Sequence, residues 1–342
     1  MFRKESDTFI SNNRMMNKLW ALLSGLFILY SCNSSVTWMD EQIDPGTKSN
    51  IDKLDKQVIE SLSAGDYSKA EGVFSDKLKE IDKGGHFDSL FSQAKERVSF
   101  SKFKIRNQFY IRNSVKEKDI SFRSGLSGDH DYSLDFKSIN KETFATVGYF
   151  EDSLQILSLV TIYGKYGDTW RLNMFHLGII RLMNKDAFDW YERAAGYFKK
   201  GCFVDAANDL DLCQQVIEPG NKVWHYQKQK DFDKLSRQVW EATNKAYSFP
   251  LTVSQVPSKP KIFKEFPQVT KQGYFPMILY TTSLKMSDTA LLRKECDAMH
   301  QVIGKVFHGL DLNNEYIIYR IFEKIPSNND LGVNYEFVRK TH

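Results

Sequence analysis

The sequence predicts an α+β protein: N-terminal helices on a curved antiparallel sheet, then a helical hairpin connector, then a small C-terminal α+β unit. Three observations predict it. Apolar residues recur at helical spacing through residues 51–99, and the period then drops to two from Phe103 to Ile180. Helical spacing returns over 186–247, and a strand–helix–strand–strand pattern follows from Met277. Helices first and a run of strands afterwards place the helices on one face of an antiparallel sheet.

At the N-terminus, residues 1–14 (MFRKESDTFISNNR) fit no targeting pattern, and Met15 or Met16 would start an ordinary leader, so we read the start as over-extended. Arg14 and Lys18 precede Leu19–Tyr30, an apolar run of twelve residues, the length of a signal-peptide core. At about 1.5 Å per residue this run spans about 18 Å, short of the ~30 Å hydrocarbon core of a bilayer. Leu29-Tyr30-Ser31-Cys32 resembles the bacterial lipobox, with an aliphatic residue at −3, a small one at −1 and cysteine at +1. Tyr30 departs from the small residue usual at −2. The resemblance implies a signal peptide over 1–31 cut between Ser31 and Cys32, with a diacylglycerol on the Cys32 thiol and an acyl chain such as palmitate on the new amine. It implies a cell-envelope protein anchored by lipid in the outer membrane or on the periplasmic face of the inner membrane. Residues 32–50 then read as a lipidated flexible tether, polar from Asn33, with a turn at Asp44-Pro45-Gly46.

Residues 51–183 make the first folded domain. Ile51, Leu54, Val58 and Leu62 form one helical stripe, and Gly65-Asp66 ends it. Tyr67, Ala70, Phe74 and Leu78 form a second stripe; Gly84-Gly85 breaks it, and Phe87–Val98 makes a third short helix. Alternation at Phe103, Ile105, Phe109 and Ile111 opens the strands, followed by short ones at 120–122, 132–136 and 144–150. Leu154–Tyr163 and Trp170–Ile180 are longer, joined as a hairpin by Gly164-Lys165-Tyr166-Gly167-Asp168. The helical Ala64-Gly65-Asp66-Tyr67-x-x-Ala70 and the closing YGKYGDTWRLNMFHLG at 163–178 resemble the nuclear transport factor two-like, cystatin-like roll. That family has a cone-shaped cavity in its concave sheet; some members are isomerases or hydratases and many only bind. The resemblance makes Asp135, Tyr149, Tyr163 and His176 candidate cavity residues. A one-residue shift in register reverses the face each one uses, so ordinary sheet positions stay open beside an aromatic-lined pocket.

Residues 184–249 read as a helical hairpin segment. Phe198-Lys199-Lys200-Gly201-Cys202-Phe203-x-x-Ala206, with Pro219 beyond it, resembles the turn of a tetratricopeptide hairpin. One hairpin falls short of the three or so copies such arrays need, so a packed connector is the competing reading. A third helix carries Phe232, Leu235 and Val239. Residues 250–342 open with Pro250, Pro257, Pro260 and Pro267, an extended linker or edge. A strand at Met277–Thr282 follows, then a helix capped by Ser287 with Leu292, Cys296, Met299, Ile303 and Val306 on one face and Gly309 at its end. Glu315–Ile325 and Val333–Arg339 complete the unit as a hairpin.

The formal charge is +4, and the leader carries four basic against two acidic residues, so the mature chain is near neutral. Such a balance argues against nucleic acid as a partner. With Cys32 lipidated, Cys202, Cys213 and Cys296 remain, an odd number that makes no disulfide framework; they read as buried thiols. No phosphate loop, GxGxxG, HExxH, GxSxG or CxxC occurs, so no cofactor is expected and no metal site is assigned. Gly128-Asp129-His130-Asp131 is read as a solvated turn against a cation loop, and Cys296 with His300 as core packing against a metal or thiolate–imidazole pair. These readings favour a non-enzymatic envelope lipoprotein that binds a protein partner or a small apolar or sugar ligand. The alternatives are an enzyme using a roll cavity for acid–base chemistry on a small apolar substrate, and a repeat-type helical scaffold.

Overall fold

The computed structural model describes residues 35–82, 84–151, 155–327 and 332–342. The leader and Cys32 lie outside the described residues. In chain order the elements are β1 (Ser35–Met39), α1 (Pro45–Ala64), α2 (Tyr67–Glu71), α3 (Asp76–Ile81), α4 (His86–Ala94), β2 (Phe103–Asn113), β3 (Lys118–Arg123), β4 (Tyr132–Ser138), β5 (Glu142–Phe150), β6 (Gln155–Tyr166) and β7 (Thr169–Leu182). There follow α5 (Ala187–Lys199), α6 (Phe203–Val216), β8 (Trp224–Tyr226), α7 (Gln229–Ala246), β9 (Leu251–Thr252), β10 (Lys261–Val269), β11 (Tyr274–Thr281), α8 (Thr289–Val306), α9 (Leu310–Asn313), β12 (Tyr316–Phe322) and β13 (Asn334–Lys340). The protein is α+β, as its hydrophobic periods predict. The chain forms two compact units. Of the described residues, the first holds those up to Ser121 with Phe136–Gly148 and Val160–Phe175, and the second holds Phe122–Asp135, those within Tyr149–Leu159 and those from His176 onward.

One sheet has the strand order β1-β2-β5-β6-β7, with β1, β2 and the larger part of β5 in the first unit together with Val160–Tyr166 of β6 and Thr169–Phe175 of β7. The stretch expected as a flexible tether is, from Ser35, an ordered part of this unit. β1 pairs antiparallel with β2, Ser35 opposite Asn113 and Met39 opposite Phe109, and the Trp38 and Tyr110 rings stack with centroids 5.2 Å apart. Asp44-Pro45, expected as a turn, is a helix start. The Asp44 carboxylate accepts from the Thr47 N–H at 2.8 Å, and Pro45 occupies the first helical position, where a missing N–H leaves no bond unmade. Gly65 ends α1 at φ 68°, its N–H donating to Leu62 and Ser61 carbonyls. The second stripe divides into α2 and α3 because Phe74 leaves the helix to bridge to Leu172 of β7. Phe74 there joins an aromatic cluster with Tyr67, Phe87, Phe91 and Phe175, ring centroids 5.3–5.8 Å apart. Five rings burying one another outweigh the few hydrogen bonds a continuous helix would add.

In the second unit α5, α6 and α7 pack through Ala194, Ala206, Leu210, Leu235 and Val239. Phe232, Leu235 and Val239, the three residues marked by spacing, are the buried residues of α7. β8 pairs with β4, Tyr132 opposite Tyr226, and Tyr132 stacks on the fully buried Trp224 at 3.9 Å. The C-terminal sheet runs β13-β12-β11-β10-β9. β11 and β12 are parallel, with α8 as the crossover that parallel neighbours need. α8 buries Leu292, Cys296, Met299 and Ile303 against Ile262, Ile278, Tyr280, Ile317 and Tyr319. Its cap is Asp288, one residue after the expected Ser287, accepting from Leu291 N–H at 3.0 Å. Part of the Pro-rich stretch is strand: Pro267 of β10 faces Pro276 of β11. β9 covers β10 only at Lys261 and Ile262, and β12 pairs with β11 only from Met277, so each proline sits where one flanking strand is absent.

Candidate functional site

Two buried polar centres and one open groove stand out, each within a single unit. The first centre is Asp55. It lies on the inward face of α1 with Ile51, Val58, Ile59 and Leu62, where helical geometry puts positions four and three apart on one side. The residue is 3% exposed. Its Oδ1 accepts from the Thr161 hydroxyl and from the Tyr163 hydroxyl, both at 2.7 Å. Thr161 and Tyr163 alternate on β6, so both side chains reach the same face of the sheet. Asp55 Oδ2 has no hydrogen-bond partner among the described residues. Burial pushes the carboxyl up to about 6, against the opposing pull of the Tyr163, Thr161 and Thr146 hydroxyls, and the Asp52 carboxylate adds to the rise. Burial and the adjacent carboxylate also push Tyr163 well above its ordinary value. The result is a carboxyl group near its titration point close to neutrality, an acid–base group by chemistry. A cleft of about 610 Å³ in the same unit is lined by Phe74, Lys77, Lys116, Tyr166 and Arg171, and Asp55 is not among its lining residues.

The second centre joins α5, α6 and the C-terminal sheet. Arg193 forks onto Asp209, Nε to Oδ2 at 2.8 Å and a terminal nitrogen to Oδ1 at 2.6 Å, and Tyr274 donates to Oδ1 at 3.1 Å. The guanidinium lies over the rings of Trp190, Tyr274 and Tyr197 at 4.9, 5.2 and 5.7 Å. Burial nonetheless pushes Asp209 up to about 6. Asn208 donates to Glu265 at 2.7 Å, and Asn313 and Asn314 donate to Asp205 at 2.9 and 2.7 Å. Glu265 is partly exposed as a residue, but its carboxyl group is buried and is pushed up to about 8. These bonds tie successive turns of α6 to β10, β11 and the segment after α8.

The groove is open and lies between α6 and α7, with a volume of about 390 Å³. Leu210 and Val239 form its apolar floor, and Trp240, 69% exposed, stands at its edge.

The sequence-predicted residues fall in different places. Tyr163 is fully buried and is bound to Asp55 in the first unit. Asp135, Tyr149 and His176 belong to the second unit. Asp135 accepts from Ser133 at 2.9 Å and lies 3.9 Å from His225; Tyr149 is partly exposed; burial lowers the pKa of His176. Asp129 of the acidic loop is paired with Lys228 at 2.6 Å, and His130 lies 3.8 Å from Asp186. Cys296 is fully buried in the core, while His300 meets Tyr319 Oη through Nδ1 and the Lys340 carbonyl through Nε2, both at 3.0 Å. Cys202, Cys213 and Cys296 are free and buried. Among the described residues no group of three or more His, Cys, Asp or Glu side chains is placed to hold a metal ion, and no helix is long and apolar enough to cross a membrane. Asp55 and the Arg193–Asp209 pair are the functional-type groups that pattern reading passed over. The one available signal for Asp55 was its position four residues after Ile51 and three before Val58, inside an apolar stripe.

Compared with known proteins, the chain matches no protein family, no curated protein and no solved structure.

Proposed function

We propose that this protein is a lipoprotein held on an envelope membrane through Cys32, and that its folded part binds a ligand or partner without transforming it. The anchor rests on the order of positive residues, apolar run and Leu29-Tyr30-Ser31-Cys32. Two or more acyl chains give stable attachment, since each buried CH₂ contributes about 0.8 kcal/mol. The observation that carries the binding reading is the α6–α7 groove with Trp240 standing open beside it. Mass spectrometry of native material is expected to find an N-terminus at Cys32 bearing acyl chains, and Cys32→Ser is expected to move the protein from the membrane to the soluble fraction. A bare Cys32 thiol, or a retained leader, refutes the anchor. Envelope extract passed over the immobilised protein is expected to leave a retained partner or ligand, and an empty column refutes the binding reading.

The acid–base reading has one observation in its favour, the raised carboxyl of Asp55 with an unpartnered oxygen. It requires room for a substrate at Oδ2. Soaking with small apolar carbonyl compounds tests it: density within hydrogen-bond reach of Oδ2 supports it, and a closed site throughout rejects it.

A further inference from the structure

The groove between α6 and α7 has a chemistry that narrows what it can hold. Its apolar floor is flanked by Asp211 and Gln214 from α6 and by Arg237 and Asn244 from α7. Arg237, Trp240 and Asn244 are three and four residues apart, so they project from one side of α7. Asp211 and Gln214 are likewise three apart on α6. All four polar groups are planar, and together they offer both donors and acceptors. The side chains of Asp211, Gln214 and Asn244 have no hydrogen-bond partner among the described residues. The groove lining itself carries one anionic group, Asp211, and one cationic group, Arg237, and Lys264 of β10 acts on Asp211 from outside the lining. Trp240, 69% exposed, presents a flat apolar surface at the edge of the groove, and the volume of about 390 Å³ lies at the small end of ligand sites.

We propose that this groove binds a neutral oligosaccharide, with one pyranose ring stacked on Trp240 and its hydroxyls hydrogen-bonded by Asp211, Gln214, Arg237 and Asn244. A pyranose matches the lining on both counts. Its axial C–H groups form an apolar face that packs on an indole, and each hydroxyl both donates and accepts, as a mixed rim of carboxylate, amides and guanidinium requires. A charged sugar would leave Asp211 or Arg237 opposed. The proposal deepens the binding reading and is independent of the lipid anchor.

The test uses the mature chain with cellohexaose, maltohexaose and chitohexaose, followed by calorimetry and tryptophan fluorescence. Trp170, Trp190 and Trp224 are buried, but Trp38 of the first unit is partly exposed, so the Trp240 signal is read as the emission shift that is present in the parent and absent in Trp240→Phe. At least one sugar is expected to bind with a blue shift. Trp240→Ala is expected to weaken it at least about tenfold, and Trp240→Phe less. Gln214→Ala and Asn244→Ala are expected to weaken it by smaller factors. Circular dichroism melting of each variant is expected to match the parent, because these side chains lie on the surface. No binding of any of the three sugars at about 10 mM overturns the proposal, as does equal affinity in Trp240→Ala. A protein recovered from envelope extract in place of a sugar, with its capture lost in Trp240→Ala, overturns the oligosaccharide and leaves the binding reading standing. An empty column together with no binding of any of the three sugars removes both.

Discussion

Asp55 in the first unit and Asp209 in the second are both nearly inaccessible carboxyls pushed up to about 6, yet they reach that state with different partners. Asp55 is held by neutral hydroxyls, those of Thr161 and Tyr163 bonded to Oδ1 and that of Thr146 nearby, with no cation among them. Asp209 has a forked guanidinium, itself held by three aromatic rings. Burial is the largest influence in both cases, so in this protein desolvation outweighs even a bidentate cation. What differs is the consequence of losing a partner. A carboxyl held by hydroxyls can take up a proton and remain satisfied, whereas one held by a guanidinium must, when its partner goes, either keep an unpaired buried charge or take up a proton with the fork of donors gone.

The largest effect should follow from that asymmetry. Arg193→Met is expected to lose about 3–5 kcal/mol of stability in urea unfolding at pH 7.5, the range for removing one member of a buried ion pair. Adding Asp209→Leu to the same chain should recover much of the loss, because a pair of apolar groups of similar size is close to neutral in stability. A single variant as stable as the parent would mean that Asp209 is already protonated there, and the contrast with Asp55 would disappear.

Next in size is the pH dependence of Asp55. Its folded pKa is raised from 3.8 to about 6, so the neutral form is favoured in the native state. The associated stability is fully present below pH 3.8 and is lost as pH rises through about 6. The total is about 3 kcal/mol, at about 1.4 kcal/mol per unit. Asp209 titrates in the same window and Glu265 overlaps it, so the parent profile contains all three groups. Asp55→Asn removes one share: parent and variant should diverge between pH 4 and 7, with the variant gaining relative stability as pH rises. Parallel profiles would show that Asp55 keeps an ordinary carboxyl pKa.

The two centres were illegible in the sequence for a common reason. Periodicity marks which face of a helix is apolar, and it found Phe232, Leu235 and Val239 of α7 and Leu292, Cys296, Met299 and Ile303 of α8 because apolar residues dominate those faces; it passed over Glu295, buried on the same face of α8. Asp55 occupies a face position but reads as polar, and its partners lie 106 and 108 residues away, beyond any local pattern. Asp209 and Arg193 are 16 residues apart on two helices, and only the packing of those helices brings them together. β1 was hidden by its surroundings. Ser35-Val36-Thr37-Trp38-Met39 carries a short alternating pattern of its own, but the polar residues on either side make the whole stretch read as a tether until β2 supplies its ladder and Tyr110 its stacking partner. Asp44-Pro45 was ambiguous in a different way, since the pair that opens a turn also opens a helix. Thr161 and Tyr163 sit in the long strand marked by its apolar run, and Tyr163 was singled out by resemblance alone. Nothing in the alternation of that strand shows that its two hydroxyls meet one carboxylate.

The hydroxyls themselves provide the smaller tests. Tyr163→Phe removes one donor from Asp55 and should cost about 1–2 kcal/mol at pH 8, where the carboxyl is ionised and one hydrogen bond to a buried charge is lost. Thr161→Val keeps the shape of the side chain and should cost about 1 kcal/mol under the same conditions. Both hydroxyls favour the charged form, so removing either should raise the Asp55 pKa beyond about 6. The loss should therefore be greater at pH 8 than at pH 4.5, where the neutral acid can donate its own proton to whichever hydroxyl oxygen remains. Equal losses at the two pH values would mean that the hydroxyls stabilise the fold by packing alone. Asp55 would then be a passive buried acid, and its resemblance to the guanidinium-held Asp209 would end at burial.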